Sequence, residues 1–449
     1  MLDPHRFAVL VHRRMRPAIV LAAVVALAFP ALSASQPKTN RMSVSTSGVQ
    51  ANRAAEAVAL SGEGRFVVFH SRASNLVPRD RNGKIDVFLR DRETRRTRRL
   101  SISPRGFGGN GHSTSPAVST DGRIVVFDSS ASNLVARDGN RKVDVFVRDR
   151  TAGTTARMSV SPSGGGANGP SFDPSLSADG RFVGFDSGAT NLVRRDGNDM
   201  WDVFVRDRQT GTTRRVSVSS SGAPGNRDSW SAVLSADGRY VAFASLAFNL
   251  VRGDTNRQAD IFVRDRATRR TTRVSVRSNG RQANGGSALP AISADGRYVA
   301  FRSVATNLVA GDTNGHADVF VHDRQTGRTR RVSVTPDGGQ ANGPSDAPAL
   351  SADGNLVAFD SAASNLVASD TNAHRDVFVR DRAAGRTRRV SISSAFVPAN
   401  GLSERPALSA DGRVAGFTSY ATNLVRRDRN GNADVFVRGP FDWSSGATR

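Results

Sequence analysis

The tripeptide Asp-Val-Phe, once Asp-Ile-Phe, begins at Asp86, Asp144, Asp202, Asp260, Asp318, Asp376 and Asp434, and every interval is 58 residues. A second marker, Asn-Leu-Val, keeps the same period from Asn75, Asn133, Asn191, Asn249, Asn307, Asn365 and Asn423. Seven copies in register, without insertion or deletion, restrict the chain to an architecture in which each unit is one supersecondary element packed on its neighbours. The length of 449 residues would otherwise suit two or three ordinary domains.

Within a unit, turn chemistry separates four expected strands. In the second full copy these are Ser115 to Ser119, ended by the hairpin dipeptide Asp121-Gly122; Arg123 to Ser129; Asp144 to Arg150; and, after Thr151, Ala152 and Gly153, Ala156 to Ser161. No segment keeps a helical period. Runs such as Val-Val-Phe and Val-Phe-Val are apolar on consecutive residues, so both sheet faces need cover. Four-stranded antiparallel blades packed radially supply it, whereas a linear solenoid would need polar caps that are absent here. The expected fold is all-β, a seven-bladed β-propeller.

The ends of the repeat region complete each other. The last copy stops after Asp434 to Gly439 without a fourth strand, and the repeat region opens with Arg41 to Ser45, a fourth strand without the other three. The N-terminal strand is therefore expected to complete the last blade, hiding both orphan edges. Deleting residues 41 to 45 should open the ring.

The segment Ala294 to Phe301, followed by Ala-Asp-Val-Phe-Val-His-Asp-Arg-Gln-Thr-Gly and Thr-Arg-Arg-Val-Ser-Val, resembles the TolB-like, WD-like propeller repeat. The resemblance covers residues 41 to 439 and implies the fold. It departs in the added Asn-Leu-Val loop and in lacking the N-terminal domain of TolB, and it implies no particular partner.

Arg6, Arg13, Arg14 and Arg16 precede an apolar run from Pro17 to Leu32 and the small residues Ser33 to Ser35, the order of a secretory signal peptide. The run is shorter than the roughly 20 residues that span a bilayer, so no permanent membrane span is expected. The expected organisation is signal peptide 1–34, linker 35–40, propeller 41–439 and tail 440–449, in an exported monomer that is periplasmic, cell-surface or secreted. There is no cysteine, so packing must supply the stability. The net charge is +23, of which the leader carries +3.

Each loop before a third strand reads Asp-x-Asn-x-x-x-Asp, for example Asp312, Asn314, Asp318 and Asp370, Asn372, Asp376. Oxygen ligands at positions one, three and seven are those of a calcium loop, but Lys84 and Lys142 stand at position five and no copy has glycine at six. Asx-turns and loop-bracing hydrogen bonds are the favoured reading, with no cofactor expected and calcium as the alternative. Recurring arginines such as Arg95, Arg96, Arg98 and Arg99 should spread as a rim belt, and arginines and aspartates of the third strands should pair between blades, which argues against nucleic acid. His316 and His374 match in repeat position and read as solvent-facing; no hydrolase, metalloprotease or nucleotide-binding motif is present.

Repeated residues maintain the scaffold, so positions where the copies disagree are the candidates for recognition. One column, expected just before the first strand, reads Glu56, Thr114, Phe172, Trp230, Ala288, Asp346 and Glu404, flanked by Asp173 and Arg405. Another, ending the second strand, reads His70, Asp128, Asp186, Ala244, Arg302, Asp360 and Thr418. Alternating strand direction brings both to one mouth of the central channel. The candidate ligand-binding residues are Glu56, Phe172, Asp173, Trp230, Asp346, Glu404, Arg405, His70 and Arg302, aromatic faces beside a few polar groups. The expected activity is binding of a protein, peptide or cell-envelope glycan. Its alternatives are a polymer hydrolase or lyase using Glu56, Asp346 and Glu404, and a calcium-stabilised structural propeller.

Overall fold

The computed structural model describes residues 36–443; the expected signal peptide lies outside the described residues. Seven four-stranded antiparallel sheets account for the described strands, and there is no helix among them. Blade two, for example, comprises Ser113–Val118, Ile124–Ser129, Asp144–Asp149 and Thr154–Arg157. Its middle strands pair Phe127 with Phe146, rings 6.1 Å apart and both fully buried, and every blade repeats this stack. Such pairs add about 0.5–1.5 kcal/mol each beyond the area they bury.

Blade meets blade at the Asp-Gly turn. Gly122 has φ +72°, and a Cβ there would stand 2.0 Å from Phe66 Cδ2 of blade one, so the residue must be glycine on both counts. The same approach recurs around the circle and ends with Gly64 against Val414, blade one against blade seven. Next to these turns, backbone amides form a closed ring: Gly62 donates to Thr120, Thr120 to Ala178, and so on through Ala236, Ala294, Ala352 and Ala410, which donates back to Gly62 at 2.8 Å. One end of the channel is thus hooped by hydrogen bonds that do not depend on side chains.

Strand Lys38–Arg41 lies antiparallel to Asp434–Gly439, with Thr39 opposite Arg438 and Arg41 opposite Phe436, so the chain's start completes its last blade. The strand sits three residues earlier than Arg41 to Ser45 and takes in part of the expected linker. Blade two shows the same offset, Thr154–Arg157 instead of Ala156 to Ser161. The cause is a serine. Met158 makes one more ladder bond, to Val145 O at 2.7 Å; then Ser159 Oγ accepts from Val145 N at 3.1 Å and donates to Asp144, and the chain turns away. Ser43 does this for the last blade, with Val435 and Asp434.

The tail's first residues also belong to blade seven. Elsewhere an arginine caps the turn carbonyl, as Arg208 Nη1 does on Gly180 O at 2.6 Å. In blade seven Trp443 Nε1 takes that role on Gly412 O at 2.9 Å, with Arg388 over its ring.

Candidate functional site

The Asp-x-Asn loops hold an arginine. In blade three, fully buried Asp202 accepts from Ser217 Oγ at 2.6 Å, Asn198 Nδ2 at 2.9 Å and Arg215 Nη1 at 2.8 Å, and the same guanidinium reaches Asp196 at 2.6 Å. Arg41, Arg99, Arg157, Arg273, Arg331 and Arg389 bridge the equivalent aspartate pairs. The carboxylates at positions one and seven therefore already face a positive charge, and the asparagine at three turns the loop, as Asn140 Oδ1 does by accepting from Lys142 N at 3.1 Å. Burial, and then the charge of Asp260, pushes Asp254 up to about 6 against the pull of Arg273.

At the opposite edge, the third-strand aspartates pair within their own blade and not between blades. Arg181, which opens the second strand, grips Asp207 in bidentate fashion at 3.0 and 2.7 Å and holds its carboxyl down to about 2. The third-strand arginines provide the contact between blades instead, as Arg266 does by lying 4.3 Å above the Phe182 ring of the preceding blade. A guanidinium that already caps a carbonyl finds on that ring a partner that costs no further donor.

The two divergent columns are cross-strand partners: Glu56 opposite His70, Thr114 opposite Asp128, Phe172 opposite Asp186, Trp230 opposite Ala244, Ala288 opposite Arg302, Asp346 opposite Asp360 and Glu404 opposite Thr418. The first column lies inside the first strand and not before it. The residue after it is bulged out in every blade at positive φ, at Ala57, Ser115, Asp173, Ser231, Leu289, Ala347 and Arg405. Where the second column of the preceding blade holds an aspartate, that carboxylate can catch the freed N–H: Asp173 N donates to Asp128 at 3.3 Å and Arg405 N to Asp360 at 3.0 Å, each across a blade boundary, whereas Ala347 N donates to Asp346. None of these residues is glycine, so each pays the left-handed conformation from its surroundings.

Charge around this mouth is uneven. On blades five to seven and one, each carboxylate meets an arginine: Arg302 faces Asp346 at 3.3 Å, Arg375 holds Asp360, and Arg405 lies between Glu404 at 3.8 Å and Glu56 at 4.0 Å. Burial, then the charge of Arg405, pushes His70 down to about 4, so its imidazole is neutral at pH 7. On blades two and three, Asp128 and Asp186 are buried and Asp173 is exposed, and among the described residues none of the three has an ion-pair partner. Burial, then the charge of Asp173, pushes Asp186 up to about 8.

Apolar exposure at this mouth gathers mainly on one side. Met200, Phe248, Leu289 and Val304 are 38–47 % exposed at the wide-loop end of blades three to five, with Tyr420 of blade seven a separate exposed ring, and Trp201 stacks on Phe172 with ring centres 6.0 Å apart. Met200, Phe248 and Val304 escaped the two-column reading because they sit in loops, although each interrupts a column of mostly small or polar residues, such as Lys84, Lys142, Met200, Gln258. Arg375 and Leu289 carried the same kind of signal: Arg375 is the one charged residue in the column Ile85, Val143, Trp201, Ala259, Ala317 and Ala433, and Leu289 shares its column with Asp173 and Arg405. His316 and His374 are exposed. No group of three or more metal-ligating side chains occurs among the described residues.

Solved structures share this architecture. An oligogalacturonate lyase from Vibrio parahaemolyticus is 11% identical over 90% of each chain, with a TM-score of 0.51. The β-propeller domain of the Trilobed protease from Pyrococcus furiosus is 8% identical over 88% of this chain and 99% of that one, with a TM-score of 0.52. TolB from Acinetobacter baumannii is 16% identical over 75% of this chain and 62% of that one, with a TM-score of 0.41. The fold is a seven-bladed β-propeller. No protein-family model matches the sequence, and no curated protein matches it. At such identities the chain shares a fold with the lyase and with the protease's propeller domain, and nothing is transferred about its partner. No helix among the described residues is long and apolar enough to cross a membrane.

Proposed function

We propose that this propeller is an exported binding module, and that the wide-loop mouth of its channel receives a partner protein, peptide or cell-envelope glycan. One observation carries the reading: a scaffold that repeats its core, its arginine locks and its amide ring in all seven blades abandons repetition at this mouth, where it exposes apolar side chains. Exposed apolar groups gathered on one face of an otherwise polar surface are typical of interaction sites. A pull-down from envelope extract with the protein and a Trp230→Ala, Phe172→Ala variant tests it. Loss of a captured species with the variant is expected; equal capture by both counts against this mouth.

A second reading, a polymer lyase or hydrolase, draws on the lyase neighbour's fold and on the mouth carboxylates. The geometry favours it less, because Glu56, Glu404 and Asp346 each have an arginine within 4.0 Å that competes with a substrate for the carboxylate. Incubation with oligogalacturonate, followed by absorbance of unsaturated ends, separates the two readings: no product is expected.

A further inference from the structure

The unpaired carboxylates of blades two and three and the exposed apolar arc of blades three to five adjoin. We infer that this side of the mouth is built for a peptide segment in which a lysine, an arginine or a free amino terminus sits beside apolar side chains, the cation against Asp173 and Asp186 and the apolar groups along Trp230, Leu289 and Val304. The inference rests on the binding reading above and names the chemistry of the ligand.

The case for a cation is one of contrast. The chain carries 63 lysines and arginines against 40 acidic residues, and Asp360, in the same column as Asp186, is held by Arg375. Yet among the described residues no arginine pairs with Asp128, Asp173 or Asp186. Asp186 is 5 % exposed, Oδ1 has no hydrogen-bond partner, and around it lie the like charges of Asp173 and Asp128 and two backbone N–H groups, those of Ser231 and of Asp186 itself. A buried carboxyl so placed is high in energy when charged, and an arriving ammonium or guanidinium relieves both the repulsion and the missing bond. Arg227, in the loop before the first strand of blade four, lies over Phe248 at 5.9 Å.

The case for a peptide over a glycan lies in the wall. Sugar rings stack on open aromatic faces, but Phe172 and Trp201 face each other, Arg227 lies over the ring of Phe248, and the arc continues in Met200, Leu289 and Val304, which offer no hydrogen bonds. Aliphatic or aromatic side chains fit such a wall; hydroxyls do not.

A random heptapeptide library displayed on phage and panned on the full-length chain tests this. Recovered sequences should be enriched in lysine or arginine flanked by apolar residues. A synthetic copy of the best clone should lose at least tenfold in affinity when its cation becomes norleucine, and as much when Asp173 and Asp186 are both changed to Asn, with the melting temperature confirming that the variant is folded. Because the cation favours ionised Asp186, affinity should rise as pH rises through about 8 and should not do so in Asp186→Asn. Trp230→Ala should weaken lysine and norleucine peptides alike. Equal affinity for the two peptides, or no peptide recovered, overturns the inference; the mouth reading survives if Trp230→Ala still abolishes capture of the envelope species. Retention of a neutral glycan oligomer in place of peptides overturns the inference and leaves the mouth standing. Wild-type binding by every variant overturns both.

Discussion

At the scale of single residues, the lesson is that a motif's chemistry depends on what is aimed at it from elsewhere in the chain. The Asp-x-Asn-x-x-x-Asp spacing carries the oxygens of a calcium loop, but the arginine that occupies them comes from the fourth strand, and in the last blade from Arg41 at the far end of the sequence. Removing that charge strands two buried aspartates: Arg215→Ala should cost about 3–5 kcal/mol, read from denaturant unfolding. Histidine behaves differently. His70 has a folded pKa of about 4 against about 6.5 unfolded, so its share of stability is complete above pH 6.5 and is lost as pH falls from there toward 4. His70→Asn should flatten the stability profile in that window, measured by melting temperature against pH; an unchanged slope would argue that His70 is not buried as described.

At the scale of elements, strand existence was legible and strand ends were not. Period-two patterning, Asp-Gly turns and apolar triplets placed four strands in each repeat, because these are local signals. The fourth strand slipped by two or three residues because Ser159 and its equivalents replace a ladder bond with a side chain, a choice that propensity does not report. The divergent columns were visible by comparing copies, whereas the bulge that joins them to the next blade was not, since it places residues as varied as Ala57, Asp173 and Arg405 at positive φ. Elements also meet at different costs. Gly153 has φ +69° with nothing within 4 Å, so Gly153→Ala should cost only the left-handed conformation, about 1–2 kcal/mol. Gly122→Ala carries that cost and displaces Phe66 as well, so its melting temperature should fall clearly further. Equal losses would mean that the blades do not interlock there.

At the scale of the whole molecule, closure and function divide between the two ends of the channel. The turn end is hooped by backbone bonds and by glycines under neighbouring apolar side chains, and the wide-loop end is where the seven copies differ. Since guanidinium groups neutralise the loop carboxylates, a chelator should leave the melting temperature unchanged; a fall of several degrees would instead support calcium. The account stands on the ring being closed by the chain's own start. The protein has no cysteine, so the pair Asn40→Cys and Val437→Cys, directly opposite in register, would introduce its only two thiols. Mild oxidation of the folded double variant should consume both thiols in an intramolecular disulfide, seen as loss of alkylation and an unchanged monomer mass. Two thiols that stay alkylatable, or that cross-link only between molecules, would show that the terminal strand does not lie beside Asp434–Gly439 and that the ring is open.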